Sequence, residues 1–371
     1  MRRKNVASGL AWGLLAILLI GLAACAPVKS TPKAASKEQL LWPLPPDQPR
    51  FQFEATLRSA ADIEEETAEM ALKRQMVRGS SVNDEPVIYK PSAILSRGGL
   101  VYVADPAAKA ITVFDAPRRK LFRFGLREPN LLHRPQAMAM DTAGNIYVLD
   151  SAQRKVMVFD AIGLFLSAID LDKRFQNPVG LAVQGDGKTI YVVDRGEVDG
   201  NEHKVIALAP DGTERFRLGP RGIEPGQFNI PLAATVGRDG SLYVVDSGNF
   251  RVQVFDAAGR FKFQFGGMGA ELGRFSRPRA IALDTEGNIY VADAGFNNVQ
   301  IFDADGRLLM PLGRLGREPA PGNYSLIAGV AVDETGRLYI VDHYFKKIEV
   351  FRRLNDDEGR QLLAREQPAR G

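Results

Sequence analysis

Residues Pro278-Arg-Ala-Ile-Ala-Leu-Asp-Thr-Glu-Gly-Asn-Ile-Tyr-Val-Ala-Asp-Ala-Gly-Phe-Asn-Asn-Val-Gln-Ile-Phe-Asp303 hold three short apolar runs separated by Asp/Gly and Asn turns. Runs of β-branched and aromatic residues bounded by such turns read as antiparallel strands.

The middle run recurs along the chain as Leu100-Val-Tyr-Val-Ala-Asp105, Asn145-Ile-Tyr-Val-Leu-Asp150, Thr189-Ile-Tyr-Val-Val-Asp194, Ser241-Leu-Tyr-Val-Val-Asp246, Asn288-Ile-Tyr-Val-Ala-Asp293 and Arg337-Leu-Tyr-Ile-Val-Asp342. The Asp-to-Asp spacings are 45, 44, 52, 47 and 49 residues, a period that suits propeller blades. A proline opens the preceding strand at Pro91, Pro135, Pro178, Pro231 and Pro278, with Ile327 in the sixth copy. An aromatic closes the following strand at Phe114, Phe159, Phe255, Phe302 and Phe351. The third copy is out of step because Gly196 to Asn201 is inserted. A fourth strand ends at Gly125, Gly219, Gly266 and Gly313, and the second copy lacks that glycine. Four short strands per copy, alternating in polarity, describe an antiparallel blade.

The segment from Pro278 to Asp303 resembles an NHL repeat, and six copies cover residues 91–352. The resemblance implies an all-β, six-bladed β-propeller over residues 50–352. The sixth copy lacks a fourth strand after Phe351, and Arg50 to Leu57 alternates like one, so the chain's own start is expected to close the ring and cover its open edges. Arg360 to Glu366 is the alternative source of that strand. Asp62 to Arg78 reads as one short appended helix, with Glu65 placed for a capping box, basic residues near its end and Gly79 after it. Residues 353–371 read as a polar tail.

The first 24 residues have the parts of an export signal: Arg2, Arg3 and Lys4, then an apolar run, then Leu22-Ala23-Ala24-Cys25. That last element resembles a bacterial lipobox, and Cys25 is the only cysteine. The resemblance implies a bacterial lipoprotein whose mature chain begins at a lipidated Cys25. Ala26, rather than Asp, in the next position favours the outer membrane within that family. Residues 25–49 are proline-punctuated and read as a tether. The whole chain of 371 residues has a formal charge of +4. Without the signal it carries 45 basic against 44 acidic side chains, so net charge argues for no polyanionic partner.

No nucleophile motif, zinc motif or nucleotide loop survives inspection. Gly266-Gly-Met-Gly269 is followed by another blade rather than a helix, and Asp284-Thr-Glu-Gly287 lacks the acidic ligands of a calcium loop. The six repeat aspartates read as caps of the turns that follow them. His133, His203 and His343 fall on one face of a propeller and are the candidate metal ligands, although no acidic ligand accompanies them. The same face gathers Arg134, Arg154, Lys155, Arg251, Arg279 and Lys346 with Phe250, Phe296 and Tyr344, while Asp-rich turns occupy the opposite face. That set is the candidate binding face.

The reading is a membrane-anchored, non-catalytic module recognising an envelope protein or acidic glycan. Nucleic acid is not an expected partner, and no cofactor is expected beyond the lipid on Cys25. The alternative is a metal-dependent, lactonase-like hydrolase or lyase acting at the central channel.

Overall fold

The six Asp-terminated runs form the second strands of six sheets: Leu100–Asp105, Ile146–Asp150, Ile190–Asp194, Leu242–Asp246, Ile289–Asp293 and Leu338–Asp342. A computed structural model describes residues 40–64 and 86–366. In it each second strand pairs antiparallel with a first strand on one side and a third on the other. The first strands are Ala93–Arg97, Pro135–Met140, Pro178–Val183, Pro231–Val236, Pro278–Leu283 and Ile327–Val332. They pack against one another around the ring, so the fold is a six-bladed β-propeller with these strands lining its axis.

Second and third strands do not alternate in polarity, contrary to the sequence expectation. Ile289–Asp293 and Asn298–Phe302 are buried at every position, because a neighbouring blade covers each face of these strands. Only outer strands such as Glu214–Leu218 keep an alternating exposure. Between blades, rings such as Phe275 and Phe302 meet with centroids 5.7 Å apart.

Ring closure follows the expected route. Phe51–Leu57 pairs with Lys347–Arg353, placing Phe51 opposite Arg353 and Phe53 opposite Phe351. Leu41–Trp42 then adds a short fifth strand, with Leu41 opposite Gln52. The tether boundary at residue 49 is therefore too late: Leu41 is buried, and the Trp42 ring stands edge-on to Phe351 at 5.2 Å.

The tail expectation needs correction. Ala60–Asp62 is a 3-10 turn followed by a turn and bend at Ile63 and Glu64, and residues 65–78 of the expected helix lie outside the described residues. An α-helix is described at Asp356–Glu366, in the supposed polar tail. Asn355 Oδ1 accepts from the Glu358 N–H at 2.9 Å, and Glu358 Oε2 accepts from the Asn355 N–H at 3.0 Å, a reciprocal cap. A Cβ at Gly359 would lie 2.4 Å from the Pro49 carbonyl oxygen, so glycine there lets the helix dock closely beside the closing strand. With that edge already taken, Arg360 to Glu366 has no strand to complete. Among the described residues no helix is long and apolar enough to cross a membrane.

The repeat aspartates clamp their blades, and all but Asp246 also accept from backbone N–H groups of the turn that follows. Asp150 Oδ1 accepts from the N–H groups of Ala152 and Gln153 in the turn that follows it. Its Oδ2 reaches back to the N–H groups of His133 and Arg134, just before the first strand of the same blade. Asp293 does the same with Gly295 and Phe296 on one side and Ser276 and Arg277 on the other. Asp342 binds Phe345 on one side and Ser325 and Leu326 on the other. All six carboxylates are fully buried. Burial raises the pKa of Asp150, but the peptide N–H groups outweigh it and hold the carboxyl below its ordinary value.

Asp150→Ala should strand several N–H groups and destabilise the fold by about 2–4 kcal/mol, measurable by denaturant unfolding. Because Asp150 is depressed in the folded state, its contribution is complete above the ordinary carboxylate pKa of about 4 and fades as pH falls below it. The gap between wild type and variant should accordingly narrow in acid.

Candidate functional site

The aspartate clamp fixes which loops share a face. It joins the turn after each second strand to the segment before each first strand, and this end of the ring is termed the upper face. Four residues after the Asp, the turn takes a left-handed residue: Lys109, Arg154, Phe250, Asn297 and Lys346, with φ of 53°, 56°, 56°, 55° and 52°. None is glycine, so each position costs about 1 kcal/mol, which the buried carboxylate bonds offset.

Several predicted contact residues are structural. Arg251 is buried, ion-paired with Asp246 at 2.8 Å, and donates to the carbonyls of Ile223, Glu224 and Gln227. Arg154 folds back onto the carbonyls of Asp172 and Phe175. Lys155 is half-buried beside Asp170 at 3.3 Å. Phe250 and Phe296 are half-buried, Phe250 against the core between blades four and five. Arg134, Lys346 and Tyr344 project into solvent. Arg279 turns up in the wall of the central channel, not on the rim. The opposite face is less acidic than its sequence suggests. Asp256 pairs with Arg260, Asp303 with Arg307, and Asp284 with Arg353. Tyr147 and Tyr290 donate their hydroxyls to Asp141 and Asp284. Burial, then the Asp141 charge, pushes Tyr147 up to about 12.

The histidines have separate fates. His203 is buried; its Nδ1 accepts from the Ile230 N–H at 3.1 Å, which puts the proton on Nε2, facing the Glu197 carbonyl at 3.0 Å. Both nitrogens are thereby used. His343 Nδ1 lies 3.2 Å from the Pro91 carbonyl, and His133 is exposed. Among the described residues no three His, Cys, Asp or Glu side chains gather as a metal site.

Three long loops, which lead from the fourth strand of one blade to the first of the next, complete the upper face: residues 219–231, 266–278 and 313–327. Each buries one ring, Phe228, Phe275 or Tyr324. Each is also stapled from beneath by a third-strand side chain. Gln253 accepts from the Gly226 N–H and donates to the Gln227 carbonyl, and Gln300 repeats this with Gly273 and Arg274. In the sixth blade Glu349 takes that place, accepting from the Gly322 N–H at 2.9 Å and the Tyr324 hydroxyl at 2.6 Å. Lys347, fully buried, pairs with Glu349 and donates to the Ala320 carbonyl at 2.9 Å. Burial, then the Glu349 charge, pushes Tyr324 far above the ordinary tyrosine value and keeps it a donor.

Stapled in this way, the loops hold Ile223, Met268, Leu272 and Leu315 out in solvent. Sequence reasoning passed over these residues. Their signal was the Gly-x-Phe spacing of Gly226-Gln-Phe228 and Gly273-Arg-Phe275, which marks a buried ring with a tight turn beside it. Inside the ring the first strands enclose a channel of about 310 Å3.

NHL-repeat models match residues 228–255 and 275–302, so the chain carries NHL repeats in its fourth and fifth blades. Human NHL repeat-containing protein 3 is 40% identical over 83 residues, 22% of this chain and 23% of the relative, and the mouse protein is 37% identical over 83 residues. This chain thus matches about a quarter of the length of those relatives. Among solved structures, a Bacteroides thetaiotaomicron protein of unknown function has a TM-score of 0.58 at 14% identity, covering 81% of this chain and 76% of its own. Kuenenia stuttgartiensis hydrazine synthase has a TM-score of 0.51 at 15% identity, covering 74% and 98%. A streptogramin B lyase has a TM-score of 0.50 at 15% identity, covering 72% and 94%. These likenesses establish the fold.

Glu349→Ala leaves Lys347 buried and unpaired and removes the acceptor of two loop donors. It should cost about 3–5 kcal/mol. Limited proteolysis should then cut within residues 313–327 at a protease level that leaves the wild type whole.

Proposed function

We propose that the protein is a non-catalytic recognition scaffold that docks an acidic protein on the upper face of its propeller and is held at the bacterial envelope by lipid on Cys25. The observation that carries the reading is the row of apolar tips on the stapled loops: Ile223, Met268, Leu272 and Leu315 are 72%, 75%, 60% and 66% exposed. Single exposed apolar residues are ordinary, but here they recur on consecutive loops whose backbones are fixed from below. A rigid loop loses little entropy on binding, which favours an interface.

Charge supports an acidic partner. Arg221, Arg274, Arg277, Arg314 and Arg317 are exposed on these loops against Glu224, Glu271 and Glu318, with Lys346 and Arg134 nearby. Such a surface steers an acidic partner during encounter. Aliphatic tips favour a protein over a glycan, since sugar faces stack best on rings and Tyr344 alone among the three predicted face aromatics is openly exposed.

The Met268→Glu/Leu315→Glu double variant should melt within about 0.5 kcal/mol of wild type per substitution, both positions being solvent-exposed. Cross-linking in intact bacterial cells should capture a partner with the wild type and lose it with the variant. Equal capture by both proteins would sink the docking reading. Separately, Cys25→Ala should shift the protein from the membrane to the soluble fraction after export, whereas continued membrane residence would remove the lipid anchor from the proposal.

A further inference from the structure

The central channel has a polarity of its own. First strands start at the upper face, so the second residues of five of them, Gln136, Val179, Leu232, Arg279 and Ala328, ring the upper end of the channel. Below that level the lining residues are mostly apolar, among them Leu95, Met140 and Leu283, with Ser96 and Thr235 between them, while Ala137, Ala139, Ala182 and Ala282 pack into the core between blades. Arg279 and Arg195 are the only charged side chains in the lining, and no acidic residue accompanies them. Arg195 follows the clamp residue Asp194, and its backbone N–H donates to the Asn177 carbonyl just before Pro178, which keeps it at the same upper end. With the Asn177 amide turned so that its oxygen faces the guanidinium, that oxygen accepts from Nε at 2.8 Å and from Nη2 at 3.1 Å. Arg279 has no hydrogen-bond or ion-pair partner among the described residues.

We propose that the upper mouth of the channel binds a small organic anion, with its oxyanion head between Arg279 and Arg195 and its apolar tail down the channel below them.

An unpaired, partly desolvated guanidinium is an unfavourable arrangement that a bound oxyanion relieves, and its planar fork suits a carboxylate or phosphate. Burial, and then the Arg277 charge, lowers the pKa of Arg279 from its ordinary value, as expected of a cation without a partner. The lower mouth has the opposite character. There Asp141, Asp284, Asp333 and Glu334 face Arg97 and Arg238 around a space of about 460 Å3. An anion is therefore favoured at the upper end and disfavoured at the lower one. Pockets that fix a ligand by a few polar groups in an apolar wall fit this arrangement. The site lies within the ring and stands apart from the loop surface proposed for protein docking.

The test is calorimetric titration of the full-length protein with octanoate and with octyl phosphate, using octanol as an uncharged control. At least one anion should bind with one-to-one stoichiometry while octanol gives no measurable heat. Arg279→Gln should weaken that binding about tenfold or more, the loss expected of one charge-assisted hydrogen bond. Binding by octanoate alone assigns a carboxylate ligand, and binding by octyl phosphate alone assigns a phosphate ester. Arg195→Gln serves as the second variant if Arg279→Gln does not melt cooperatively. Absence of binding by both anions overturns the proposal. Equal binding of octanol, or undiminished affinity in a folded arginine variant, does so as well.

Discussion

A buried carboxylate at the end of each second strand ties the turn that follows it to the segment before the first strand, which a direct backbone bond such as Ser151 N–H to the Arg134 carbonyl joins at only one point. The turn after that strand and the segment before the first strand both present peptide N–H groups at the end of a sheet. Asp150, bonded to Ala152 and Gln153 on one side and His133 and Arg134 on the other, shows how one side chain satisfies both. Buried donors left without acceptors are costly, so the repeat retains a short carboxylate where its length reaches both sets. The same bonds set the channel, since they fix where each innermost strand begins.

Propeller blades are nearly equivalent, and the differences between them are where specific chemistry can reside. The first three lack the long stapled loops that lead into the last three. In those loops the third-strand side chain changes from Gln253 and Gln300 to the charged pair of Lys347 and Glu349. The change falls in the blade that also closes the ring, where Trp42 and Phe53 cover Phe351 from the N-terminal strands. The buried ion pair thus sits at the joint between chain start and chain end. It is satisfied by the Ala320 carbonyl, the Gly322 N–H and the Tyr324 hydroxyl as well as by its own attraction, the condition under which a buried pair can be tolerated.

Two surfaces of different kinds result from one construction. The stapled loops present apolar tips and arginines outward, a broad relief suited to a macromolecule. The innermost strands, with Arg279 on one of them and Arg195 in the turn after a second strand, enclose a narrow channel suited to a small molecule. Both follow from the same economy, in which second and third strands carry the apolar core and leave the inner strand and the loops free to vary.

The six Asp-terminated runs, the prolines before them and the aromatics after them made the propeller and its closure by residues 51–57 legible from sequence, because each pattern reports a local requirement: a turn, a strand start, a buried edge. The helix at Asp356–Glu366 was legible in principle from Asn355 and Glu358, whose spacing forms a reciprocal cap. The fate of individual charges was not legible. Arg251 and Arg134 both looked like rim cations, yet one is buried on Asp246 and the carbonyls of a loop some 24 to 28 residues earlier, while the other faces water. Arg279 likewise occupies the channel only because five other inner strands converge on it. Strand periodicity and turn chemistry act over a few residues and are written in the chain; the surroundings of a charge are set by segments far apart in sequence, and ring closure alone decides them.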